Sequence, residues 1–480
     1  LPWPLGKSAS EKRDLALKLH FDSGLTRIEG TMGDKLVADL RFVEGIFSRG
    51  VASFDRTASV PSDNEMLIAV YLPTVDLDSW RPIATLFGEQ PSETQPTWYP
   101  VFDMNFDFLE VGVLELKQIK SETKFIDGQI DLQFFSNLAD GKLLIDDILG
   151  DVPKLTLTRL NMSKDFLAEK VSGQSLDPRT FPASDIVLES VAVDEKLWGN
   201  ISFQLRPNSE GAAFKNIEGD IFGLRPGELA EEGETLFFWG FDNKQYSSRL
   251  TGPVGINNIG DLFEGLEIPT PVDSQSGKLV LDLEWLDQPW NFSKQNMAGN
   301  FYVELNQGSF YTSPGGASAA LKLVSLFNFA NWLRRLQLDF SDVVGENLAY
   351  NNLQGKVEFD EGRARLLDPL KMQMPSGRMS MAGEFNLLNE TADAQLVATL
   401  PVATNLPWVV ALLGGIPAAA GVYVTSKIVE KQVDRLSSIS YNLNGPWDDI
   451  EVSVDKIFAA QLDEKPIETP VPVQSSGNKE

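Results

Sequence analysis

The chain contains a single histidine, His20, and no cysteine. Thiolate nucleophiles, thiolate metal sites and disulfides are thereby excluded, and a standard zinc site lacks its ligands. His20 stands in the alternating run LALKLHF and reads as a strand-face residue with no partner for acid–base work. Asp103, Asn105 and Asp107 have the spacing that opens a calcium loop. Its sixth position is Phe108, where the sharp turn needs glycine, so they read as the wet face of a strand. Gly141-Lys142, Gly277-Lys278 and Gly355-Lys356 lack the glycine spacing and the Ser/Thr of a phosphate loop. Ser453 and Lys456 fit S-x-x-K without any partner motif. Carboxylates are too abundant for any pair to signal glycosidase chemistry. These residues predict no chemical step, no cofactor and no metal.

The balance of 41 basic against 68 acidic residues gives a formal net charge of −27. Phosphate backbones need a basic face, so no nucleic acid partner is expected. General adhesion to anionic lipid is disfavoured for the same reason, and any membrane contact must be local and apolar. The length suits two or three domains or one elongated repeat body.

What must position the residues is strand. Period-two alternation dominates. In Val101–Leu109, Phe102, Met104, Phe106 and Phe108 share one parity and Asp103, Asn105 and Asp107 the other. In Leu279–Trp285, Leu279, Leu281, Leu283 and Trp285 oppose Asp282 and Glu284. Phe301, Val303 and Leu305 continue the pattern, as do Val357 and Phe359, Met379 and Met381, and Leu396 and Leu400. Asp127-Gly128, Glu361-Gly362 and Asn444-Gly445 supply turns. The pattern predicts a mostly antiparallel β chain with one apolar and one acidic or polar face. Alternation alone fits a sandwich, a solenoid, or a sheet curled into a groove covered by lipid.

Two segments depart from it. A helix is expected over about 317–337, with Lys322, Ser325, Asn328, Asn331 and Arg335 as a narrow polar stripe. Its wide apolar arc includes Leu326, Phe327, Phe329, Trp332 and Leu333 and suits either an interfacial helix or one packed between sheets. Trp408–Val424 carries no charge but holds Gly414, Gly415, Pro417 and Gly421. It is therefore expected as a helical hairpin over about 405–436, with Trp408, Leu412, Leu413 and Ile416 at a membrane or groove mouth, and not as a span. Residues 461–480 are Pro-, Glu- and Ser-rich and are expected to be a disordered tail.

Five blocks, PASDIVLESVAVDEKLWGNISFQLRPNSEG from Pro182, LDLEWLDQPWNFS from Leu281, FNFANWLRRLQLDFSD from Phe327, LPVATNLPWVVALLGGIPAAAG from Leu400 and YNLNGPWDDIEVS from Tyr441, occur in the order found in one family. On them the chain resembles the AsmA-like family of envelope proteins, in its YhdP branch. The second half of the third block and the fourth are the specific parts. Met374 and Asn351 depart from the family pattern, where Gly and an acidic residue are usual. The resemblance divides the chain into 1–180, which fits the preceding family strands loosely, and a C-terminal region over 181–460.

The resemblance implies a mostly β fold, an elongated antiparallel sheet curled into an open apolar groove, with a few helices near the C-terminal end. It implies non-enzymatic phospholipid transport between the inner and outer membranes of a Gram-negative envelope, supporting outer-membrane homeostasis. The apolar-parity residues named above, Phe102 through Leu400, would line the groove. The C-terminal end would meet the outer membrane, and an anchor upstream of Leu1 would hold the protein in the inner membrane, with the bulk in the periplasm. Two other readings stay open: an assembly factor for outer-membrane proteins, and a β-helical polysaccharide enzyme with carboxylates clustered on one wall. Protein partners are unknown at this level.

Overall fold

The computed structural model describes residues 14–457 except 34, 63, 77–97, 112–113, 127–128, 147–151, 164–175, 268, 312–346, 376, 401–436 and 448–449. The expected helices over 317–337 and 405–436 and the tail 461–480 fall outside the described residues. The chain divides into two compact units, residues 1–175 with 182–205, and residues 176–181 with 206–480.

The first unit holds β1 (Leu15–Asp22), β2 (Leu25–Met32), β3 (Leu36–Val43), β4 (Ile46–Phe54), β5 (Glu65–Asp76) and β6 (Tyr99–Val111). It continues with β7 (Leu114–Ile126), β8 (Gln129–Phe135), β9 (Ala139–Ile145), β10 (Lys154–Met162), β11 (Ser184–Val193) and most of β12 (Lys196–Pro207). Chain neighbours pair throughout, antiparallel except at three joints: β4–β5, β5–β6 and β10–β11 are parallel. A hairpin reverses the chain, so a parallel neighbour needs a longer crossover. The intervals 55–64, 77–98 and 163–183 supply it.

The second unit holds β13 (Gly211–Ile221), the short β14 (Leu224–Pro226), β15 (Leu236–Asp242), β16 (Gln245–Ile256), β17 (Ser276–Trp285) and β18 (Met297–Tyr311). It ends with β19 (Asn347–Asp360), β20 (Arg363–Met374), β21 (Gly377–Asn386), β22 (Thr391–Leu400), β23 (Ser437–Pro446) and β24 (Glu451–Ile457). From β15 to β24 every neighbouring pair is antiparallel. One short helix, α1 (Ile259–Gly265), lies between β16 and β17. Alternation does not reveal it, because it is only two turns long. Asn258 caps it, its side chain accepting from Gly260 N at 2.9 Å.

Register turns the alternation into continuous rows. In the first unit Leu17, Gly30, Ala38, Ala52, Ile68 and Phe102 are successive partners, followed by Thr123, Leu132, Leu143, Leu155, Ile186 and Phe203. In the second, Phe214, Phe237, Leu250, Leu283, Gly299, Phe359, Ala364, Phe385, Ala392 and Gly445 form one such row. Because side chains alternate across a pleat, matched parity puts each row on one face. The second unit buries Met372, Met381, Phe385, Leu396 and Leu443 almost completely on this face, and Phe310 joins the same core from the other parity of β18, beyond Gln307 with φ +51°.

One departure from simple alternation changes an assignment. Leu72 and Val75, Phe106 and Leu109, and Leu116 and Ile119 pack in a single cluster, although members of each pair stand three apart. Pro73 lies in the first interval, and Gln118, in the third, has φ +53°. The three strands thus exchange faces at the same level. Phe108 leaves the apolar face and is 48% exposed, with Lys117 Nζ 5.9 Å from its ring centroid. Leu109 takes the place that alternation assigns to Phe108.

Candidate functional site

The apolar face of the first unit is least covered along β1. Every residue of β1 is exposed, and Leu15, Leu17, Leu19 and Phe21, at 66%, 56%, 54% and 76%, all share one parity. Bare apolar side chains in this number, in one line, form a surface that another apolar group can cover. The face continues inward through Ile28, Leu40 and Met66 to half-buried Phe102 and Met104 and buried Phe106. Ser121 and Thr123 interrupt it as buried hydroxyls without a hydrogen-bond partner. Sequence reasoning reads LALKLHF for His20 alone, so the four β1 residues go unassigned, although the alternation that marks them is plain.

In the second unit Leu279, Leu281, Leu283, Phe301 and Val303 are half-buried. Trp285, Leu305, Val357, Phe359, Met379, Met381 and Leu396 are buried. Leu281 faces Phe301, and Phe301 faces Val357, so these residues are brought together on one face. Leu400 closes β22 opposite Ser437, and its side chain is outside the described set. Leu326, Phe327, Phe329, Trp332, Leu333, Trp408, Leu412, Leu413 and Ile416 also lie outside the described residues.

The opposite faces are charged. In the first unit Arg27 Nε and Nη2 donate to the Asp39 carboxylate at 3.0 and 2.8 Å. Burial pushes the Asp39 carboxyl up, but Arg27 and Arg41 outweigh it and hold the group below its ordinary pKa. In the second unit Arg249 pairs with Asp282, and Arg365 with Glu358 and Glu384. A hollow on this wet face is lined by Glu358, Asp360, Glu361, Arg363 and Arg365. Its carboxylates are interleaved with arginines: Glu358 pairs with Arg365, and Arg363 and Arg365 both reach Glu384. Among the described residues no group of three or more His, Cys, Asp or Glu could hold a metal ion. No described helix is long and apolar enough to cross a membrane.

One polar anchor sits beside α1. Asp273 accepts from Ser309 N at 2.6 Å and from the Tyr311 hydroxyl, and its backbone carbonyl accepts from the Tyr350 hydroxyl. The Asp273 carboxylate pushes the Tyr311 hydroxyl up to about 12. These bonds tie the 271–273 segment to β18 and bring Val272 into the core with Phe310. Their function is positional.

A family model described as YhdP protein matches residues 1–452. Over 245 residues the chain is 22% identical to a protein of Escherichia coli (strain K12) named intermembrane phospholipid transporter YhdP. That alignment covers 49% of this chain and 19% of the relative, so the chain matches about a fifth of the relative's length. No solved structure matches.

Proposed function

Because this chain belongs to the YhdP protein family, we propose that it carries phospholipid between the inner and outer membranes of a Gram-negative envelope, without a chemical step. The acyl chains lie on the apolar face of each unit, with the headgroup at its margin. The observation that carries this reading is the register-matched apolar row in each unit, exposed to solvent along β1. Each acyl CH₂ moved from water onto such a face recovers about 0.8 kcal/mol. Successive strands offer chemically similar surfaces, so a lipid passes from strand to strand with little net change in free energy. Direction then comes from supply and removal at the two membranes. Attachment to the inner membrane and contact of the C-terminal segments with the outer membrane complete the proposal.

The test is site-specific photocrosslinking in the envelope. A photoreactive residue at Leu17 or Leu283 should label phospholipid, and one at Lys18 or Asp282, on the other face, should not. Equal labelling of both faces, or lipid-free protein by mass spectrometry, overturns the reading.

A further inference from the structure

One end of the second unit's strands is rimmed with tryptophan. Trp239, Ser248, Trp285 and Met297 are successive register partners on the apolar face. The interval 286–296 between β17 and β18 folds over them. Trp290 packs edge-on against Trp239 at 5.2 Å between ring centroids, and Phe181 does so at 5.5 Å. Ser248 Oγ donates to Asp287 O at 2.9 Å, and Trp285 Nε1 donates to Gln288 O at 3.0 Å. Farther along the same lip, Lys294 Nζ donates to Leu387 O at 3.3 Å and stands 5.9 Å from the Trp447 ring centroid.

Three indole N–H groups here, those of Trp239, Trp290 and Trp447, are buried with no hydrogen-bond partner. Trp239 is 4% exposed and Trp447 8%. Native proteins rarely leave such donors unmet, since each forfeits the hydrogen bond it makes in water. Edge-on packing offers aromatic faces, which are weak acceptors beside an oxygen. The Gln288 side-chain oxygen is also buried without a partner, so the lip offers three donors and one acceptor.

We propose that this tryptophan lip binds the glycerophosphate part of a phospholipid. Its ester and phosphate oxygens accept from the indoles of Trp239 and Trp290, and a hydroxyl or ammonium of the headgroup donates to Gln288. The 286–296 strap is displaced to admit it. The proposal rests on the transport reading and adds an orientation: the acyl chains run from this lip across the apolar face toward the strand end that carries α1. At that far end Tyr311 pairs with Asn347 and Leu400 with Ser437.

The experiment uses the full chain with Trp239→Phe and Trp290→Phe, singly and together. Phenylalanine keeps an aromatic ring and removes the donor. Three probes are titrated calorimetrically: dioctanoyl phosphatidylglycerol below its micelle concentration, decanol as an acyl-only ligand, and inorganic phosphate. Each variant should weaken phosphatidylglycerol binding by roughly tenfold while decanol binding stays within twofold, which also reports an intact face. Millimolar phosphate alone should not bind. Unchanged phosphatidylglycerol affinity in the double variant overturns the lip and leaves the groove standing. Wild type that takes up neither phosphatidylglycerol nor decanol overturns the groove and the lip together. Tryptophan-dependent binding of phosphate without binding of phosphatidylglycerol makes the lip a free-anion site and overturns the lipid assignment.

Discussion

The rings of Phe301 and Phe359 stack across β18 and β19 with centroids 5.6 Å apart and planes inclined by 23°. The register partner of Phe359 on β18 is Gly299, so no side chain separates Leu283 from Phe359 in that row. Gly299 has φ +110°, and a Cβ there would stand 2.1 Å from Asp282 O. Gly299→Ala should therefore cost about 2 kcal/mol or more in urea unfolding. A loss below about 0.5 kcal/mol would show that the pleat relaxes freely at this point.

The exposed line of β1 predicts a separation of function from stability. Leu17→Asp should lower lipid transport by roughly tenfold, because a carboxylate in the acyl path must be desolvated. Its thermal midpoint should match that of the parent, since Leu17 is largely solvated. Lys18→Asp, on the opposite face, should leave transport unchanged. The readout is transfer of labelled phospholipid between donor and acceptor vesicles, beside a melting curve.

The exchange of faces in β6 is testable by stability alone. Phe106 is 8% exposed. Phe106→Ala should cost about 3 kcal/mol. Phe108→Ala should cost about 0.5 kcal/mol or less, because that ring is exposed. Equal costs would restore plain alternation through this strand.

Arg159 and Asp140 face one another at a register shift between β9 and β10. Arg159 Nε and Nη2 donate to the carboxylate at 2.7 and 2.9 Å. The Arg159 hydrogen bonds outweigh burial and hold the Asp140 carboxyl below its ordinary pKa. A depressed carboxylate contributes its full stability above the unfolded-state value of about 4 and loses it as pH falls through the folded value. Asp140→Asn should cost no more than about 1 kcal/mol at pH 7, because Arg159 is well solvated. The difference from the parent should shrink as the pH drops below about 4. A pH-independent difference would mean that the lost interaction is not ionic.

The β class and the two-faced strands were legible in the sequence because antiparallel register carries parity unchanged from strand to strand. Leu281, Leu283, Phe301 and Val357 share a face for that reason. Alternation fails at Phe108 because a proline in β5 and a left-handed Gln118 in β7 flank a change of parity, and residue type alone does not mark that change. The three parallel joints were hidden too, since strand direction leaves no trace in a period of two. Trp239 and Trp290 meet only after register has stacked the strands, so no spacing in the chain relates them. The candidate membrane-contact residues from Leu326 to Ile416 lie outside the described residues.

Pairing between chain neighbours has a consequence for how the molecule is made. Almost every strand finds its partner in the segment synthesised immediately before it. Such local closure is entropically cheap and fast, so strands can pair in the order in which they are synthesised. Its stability is then a sum of neighbour terms, as in solenoids. Adding or deleting a hairpin then changes the number of strands while leaving the pairs on either side as they were.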